Sequence, residues 1–132
     1  MRVRPLLIAM LFLTLQGSAV AGDDEREWLS VRGIFKASFE VDDPIEINKI
    51  HFWVLSIQTI SGDPVTTAEI SVDGGMPLHD HGMPTRPRVT ENLGNGRYRL
   101  EGLRFHMNGQ WEVSVTVKAD GEVDTVIIAL DL

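Results

Sequence analysis

The chain has 132 residues, with 12 Lys or Arg against 19 Asp or Glu, a net charge of −7 and no cysteine. That length holds one domain with its own core. The acidic balance excludes a nucleic-acid surface, which needs clustered Lys and Arg, and the lack of cysteine means that burial, not disulfides, must stabilise the fold.

The first 21 residues read as a secretory signal peptide. Arg2 and Arg4 give a positive start, Leu6 to Leu15 is an uncharged apolar run, and Gly17-Ser18-Ala19-Val20-Ala21 is a small-residue end. The apolar run is shorter than the ~20 residues of a membrane span. Cleavage is expected after Ala21, leaving no stable membrane span and a periplasmic or secreted product. Without Arg2 and Arg4, ten basic residues face 19 acidic ones, a net charge of −9. Residues 22–27 are polar and acidic, as in a loose tail. The folded domain is expected over 28–132.

Phe35, Ala37, Phe39 and Val41 alternate with Lys36, Ser38 and Glu40, the period of a half-buried strand. Asp42-Asp43-Pro44 ends it as a turn. Ile50 to Ile57 is nearly continuous in apolar residues, which predicts a central strand covered on both faces. Its His51 falls on the face of Trp53, Leu55 and Ile57 and reads as structural. Ser61-Gly62-Asp63-Pro64 is a turn, and Ala68, Ile70 and Val72 make another strand that Asp73-Gly74-Gly75 should end. Asn95-Gly96 and Asn108-Gly109 are hairpin signals. Tyr98 to Phe105, then Trp111, Val113, Val115 and Val117, carry further alternation, and Asp120-Gly121 turns the chain into a last strand over Val126 to Leu130. About seven strands, turn signals every ~8–12 residues and no helix after the leader predict an all-β, immunoglobulin-like sandwich.

Gly75-Met76-Pro77-Leu78-His79-Asp80-His81-Gly82-Met83-Pro84 is the stretch that carries chemistry. After the leader, every methionine and three of the four histidines lie in it or in His106-Met107. Imidazole and thioether without thiolate is a donor set that suits copper. In an extended segment His79 and His81 point the same way, with Asp80 turned aside. Met76 and Met83 flank them, and Pro77 and Pro84 stiffen both ends. Convergence of this loop with His106 and Met107 would give a copper site from Met76, His79, His81, Met83, His106 and Met107. There is no Gly-x-Ser-x-Gly, phosphate loop or reactive cysteine, so no enzyme is expected.

An ordered set of motifs resembles the YtkA-like/FixH-like group. It comprises Trp53 on its apolar strand, Ser61-Gly62-Asp63-Pro64-Val65, Gly75-Met76-Pro77-x-His79-x-His81-Gly82, Gly96-x-Tyr98 and Met107-x-Gly109-x-Trp111. The resemblance spans most of Val31 to Val117. It implies an immunoglobulin-like domain of the bacterial envelope, associated with copper handling or with assembly of respiratory and cytochrome machinery. It carries over Met76, His79, His81 and Met107; Met83 and His106 rest on the local pattern alone. The expected role is a copper-binding accessory or chaperone serving an envelope metalloprotein or copper-handling partner. The alternatives are a metal-free interaction module of the envelope and a carrier of an apolar ligand.

Overall fold

A computed structural model describes residues 26–41 and 44–132. The expected signal peptide, most of the tail and Asp42-Asp43 lie outside the described residues. Among the described residues no helix is long and apolar enough to cross a membrane.

Among the described residues nine strands form in order: β1 (Trp28–Leu29), β2 (Phe35–Glu40), β3 (Ile50–Thr59), β4 (Glu69–Met76), β5 (His81–Gly82), β6 (Arg88–Gly94), β7 (Arg97–Arg104), β8 (Gln110–Ala119) and β9 (Glu122–Asp131). That is more than the expected seven or so: the sequence pattern marks β2, β3, β4, β7, β8 and β9 but not β1, β5 or β6, and β1 and β5 are two residues long. All pairings are antiparallel, in the order β1-β2-β3-β7-β6-β4-β8-β9, with β5 on β4. The link from β6 to β4 is one residue pair, Ser71 with Arg88. The path therefore divides into two layers, β2-β3-β7-β6 and β4-β8-β9. Those are the ABED and CFG sheets of the immunoglobulin constant arrangement.

The core lies between the layers. Trp53, Leu55 and Ile57 of β3 and Leu100 of β7 face Val113, Val115 and Val117 of β8 and Val126 and Ile128 of β9, and none exposes any surface. Each such side chain contributes about 1.5–3 kcal/mol by leaving water. The period-2 alternation along β8 puts every second residue here, as its sequence predicts.

Two expectations change, and one longer strand appears that no sequence pattern marks. The strand β3 is covered on one face only: Phe52 is 49% exposed and lies under the Arg99 guanidinium, 4.3 Å from the ring centroid. A two-layer domain leaves each sheet one solvated face, and a cation over the ring covers Phe52 there. Asn108-Gly109 is not a hairpin turn. It lies in the connection that carries the chain from β7 in one sheet to β8 in the other. The strand β6 carries no apolar alternation, because it is a polar sheet edge with only Val89 half-buried. The Asn95-Gly96 and Asp120-Gly121 hairpins form as expected, with all four residues at positive φ.

A second seam closes the sheets at the other side. Ser30 bridges Val126, and the Val31 N–H donates to the Thr125 carbonyl at 2.9 Å. Asp124, 5% exposed, accepts from the N–H groups of Arg32 at 2.9 Å, Thr125 at 2.9 Å and Ile34 at 3.4 Å. Burial pushes its carboxyl up, but the hydrogen bonds from Ser30, Thr125, Ile34 and Arg32 together outweigh it and hold the group below its usual value. The Asp124 contribution is thus complete above the ordinary carboxylate range and is lost as pH falls through the lowered folded-state value. The Asp124→Ala variant is expected to unfold at lower urea than wild type at neutral pH. The gap should narrow in acid; a gap that stays constant through acid titration contradicts this assignment.

Candidate metal centre

The His/Met stretch is a tight ribbon on the end of β4. Strand β4 does not stop at Asp73-Gly74-Gly75 but runs on to Met76, and β5 folds back on it, pairing Met76 with His81 and Gly75 with Gly82. The glycines make this approach possible. A Cβ on Gly74 would meet the Met83 methyl at 2.7 Å, and one on Gly75 would meet the His81 carbonyl at 3.1 Å. The Met83 N–H then donates to the Gly74 carbonyl at 2.8 Å.

Between the two strands, Pro77–His79 form one 3-10 turn, with Pro77 at its start. Asp80 closes it in the left-handed region at φ 52°. The segment is therefore not extended, as its His-x-His spacing suggests, because a four-residue reversal needs a helical turn and a left-handed residue. The rings still end up on one side: His79 and His81 stack with centroids 5.7 Å apart.

The connection after β7 brings the second fragment to the same place. His81 and His106 have centroids 5.2 Å apart. The two loops, whose meeting the sequence leaves open, thus converge, with three imidazoles in a row. Below them His106 stands edge-on to Trp111 at 5.3 Å. The Trp111 Nε1–H donates to the Met107 carbonyl at 3.0 Å and sets the turn that presents His106 and Met107. Met107 is 36% exposed. The Nδ1 of His106 is buried and has no hydrogen-bond partner. A buried imidazole nitrogen left without a partner is costly unless something fills that role.

The other two methionines sit deeper. Met76 is 1% exposed and belongs to the core; a Cβ on Gly109 would meet its methyl at 2.8 Å. Met83 is half-buried, and its Sδ takes the Arg104 N–H at 3.3 Å. His51 lies apart, its Nε2 2.7 Å from the Glu46 carbonyl, as its structural reading predicts.

Two grooves flank the ribbon. One of about 310 Å³ is lined by Asp73, Asp80, His81 and Glu112, an acidic setting for a cation. The other, about 350 Å³, is lined by Pro77, Leu78, Trp111, Ala129 and Leu130. Among the described residues, no three His, Cys, Asp or Glu side chains are already gathered as a ligand set. The donor chemistry fits copper and the imidazoles are adjacent; closing on an ion needs rotation of exposed His79 and His81. Sequence reading missed Trp111 as the shelf for His106 and the carboxylates of Asp73 and Glu112. Only strand pairing reveals that Glu112 lies beside Gly75.

The sequence pattern of the YtkA-like family matches residues 34–116, and the chain belongs to that family. A crystal structure of a DUF4426 family protein from Pseudomonas aeruginosa PAO1 is similar in fold, with a TM-score of 0.54 and 16% identity, over 76% of this chain and 91% of that one. The ZirS C-terminal domain gives a TM-score of 0.40 and 12% identity, over 100% of this chain and 85% of that one. No curated protein matches the chain.

Burial separates Met76 from the exposed donors. Replacement by Leu conserves volume, so Met76→Leu is expected to cost less than about 1.5 kcal/mol in urea unfolding. It should leave Cu(I) affinity unchanged in a chelator competition. Loss of affinity with the fold intact would make the Met76 sulfur a ligand.

Proposed function

We propose that this YtkA-like domain is an exported, periplasmic copper-holding accessory protein that acts without catalysis. One observation carries the reading: His79, His81 and His106 meet from two separate loops, and His106 brings a buried nitrogen with no partner. In this reading the three imidazoles hold Cu(I), with Met107 as the accessible thioether. Met83 stands in reserve beneath the ribbon and Met76 supports the site from the core. Mixed imidazole and thioether donors favour Cu(I) over zinc. Imidazole binds only when neutral, so acid releases the ion. Partly exposed ligands on a short ribbon allow a partner to take the ion by ligand exchange. The resemblance to FixH-like proteins points to a recipient in respiratory or cytochrome assembly.

A second reading has its own observation. Leu78 is 75% exposed at the tip of the ribbon, beside the apolar groove over Trp111. Such a tip suits docking of an envelope protein with the histidines as mere scaffold. The two readings separate on metal. The copper reading expects one Cu(I) per domain, bound tightly enough to compete with a chelator and lost in the His79→Ala/His81→Ala double variant while the β-sheet spectrum is kept. Retention of copper in that variant, or no binding by the wild type, would overturn it in favour of the docking module.

A further inference from the structure

All three tryptophans of the chain lie in one unbroken series of rings that starts at the histidine site. From His106 the series passes to Trp111 at 5.3 Å, and from Trp111 edge-on to Phe105 at 5.3 Å. That step crosses from the β8 layer to the β3 layer, where Phe105 lies 6.2 Å from Trp53. Trp53 stacks on Phe39 of β2 at 4.2 Å, and Phe39 on Trp28 of β1 at 5.0 Å. The steps run from 4.2 Å for the stacked Trp53–Phe39 pair to 6.2 Å for Phe105–Trp53, close contact for aromatic rings throughout. Trp53 and Trp111 are at most 1% exposed, whereas Trp28 is half-buried and reaches solvent.

The indole N–H groups differ along the series in a way that matters for electron transfer. An indole that loses an electron becomes strongly acidic at Nε1, and it stays a reversible relay only if that proton has nowhere to go. The Trp53 Nε1–H is buried with no hydrogen-bond partner. The Trp111 Nε1–H points to a carbonyl, the Met107 oxygen, which is a poor base. Trp28 at the end meets water, which can take the proton. The two inner indoles are thus built to pass charge and the outer one to trap it.

We infer that this series is an electron path that protects the copper site from peroxide. The inference rests on the copper reading above. Cu(I) held there would make the site a place where hydrogen peroxide is reduced, and the imidazoles and the Met107 thioether would be the nearest groups open to oxidation. Trp111 supplies an electron to the site, Trp53 refills Trp111 across Phe105, and Trp28 refills Trp53 across Phe39. After two such transfers Trp28 has lost two electrons. Its ring takes one oxygen from water and releases two protons. The peroxide takes up the two electrons and two protons and becomes two waters, so the net change is one oxygen gained by Trp28, one peroxide consumed and one water formed. Damage falls on a replaceable surface ring, and the metal ligands are spared.

The test uses the domain carrying one equivalent of Cu(I), with copper retention measured in the same sample. Hydrogen peroxide is added without dioxygen, in water enriched in heavy oxygen, and peptides are mapped by mass spectrometry. The expected result is heavy oxygen, drawn from water, on Trp28 with His79, His81 and His106 intact. In Trp53→Phe the Trp28 product should fall to the level of the metal-free protein, and oxidation should move to His81, His106 and Trp111. Phe39→Leu, at a half-buried position that spares the central core, should do the same. Unlabelled oxygen on Trp28, or Trp28 oxidation unchanged in both variants, means diffusing radicals and overturns the path. Copper retained with oxidation confined to the histidines overturns the path alone. Failure to retain copper overturns the site reading and the path with it.

Discussion

The T-shaped contact of Trp111 with Phe105, 5.3 Å between centroids, is the joint on which the domain depends. Phe105 begins the connection that leaves one sheet, and Trp111 is the second residue of β8 in the other. Neither exposes more than 1% of its surface. The contact therefore fixes where the two sheets sit relative to each other and fixes the five-residue crossing between them. His106 and Met107 lie inside that crossing. Their position follows from core packing, and a loop anchored at both ends by buried rings loses little entropy when it binds. The backbone adds a second tie, since Gly109 exchanges hydrogen bonds with Leu132 at 2.7 and 3.0 Å and continues the β8–β9 ladder to the crossing.

Much of this was legible in the sequence, and the boundary is physical. Strands with one buried face announced themselves, because alternation in β2, β7 and β8 is the direct print of a two-layer core. Turns that need left-handed backbone did too, at Asn95-Gly96 and Asp120-Gly121. The edge strand β6 left no print, since Arg88, Thr90, Glu91 and Asn92 bury nothing. Asn108-Gly109 misled because the same dipeptide serves a hairpin or a crossing between sheets, and only pairing decides which. The candidate site was readable as residue types and not as geometry. That His79 and His81 would meet depended on a 3-10 turn opened by Pro77, not on extended spacing. That His106 would join them depended on strand order, to which local patterns are blind. Burial likewise sorted three methionines that look alike in sequence into a core residue, a half-buried residue beneath the ribbon and an exposed one.

The surface around the site is consistent with an ion in transit. Asp73, Asp80 and Glu112 line the groove beside His81, where negative potential gathers cations and screens with salt. The apolar tip at Leu78 stands next to the histidines. The three histidines, the acidic groove and the groove over Trp111 thus lie next to one another at one end of the sandwich.

The central claim is that two loops form one site. Its most direct measurement is imidazole nitrogen NMR of the domain during titration with Cu(I). The account predicts that the ring resonances of His79, His81 and His106 move together and saturate at one equivalent, while those of His51 stay in place. Movement of His79 and His81 with His106 unaffected would contradict it, because the ribbon would then bind alone and the buried nitrogen would have no part.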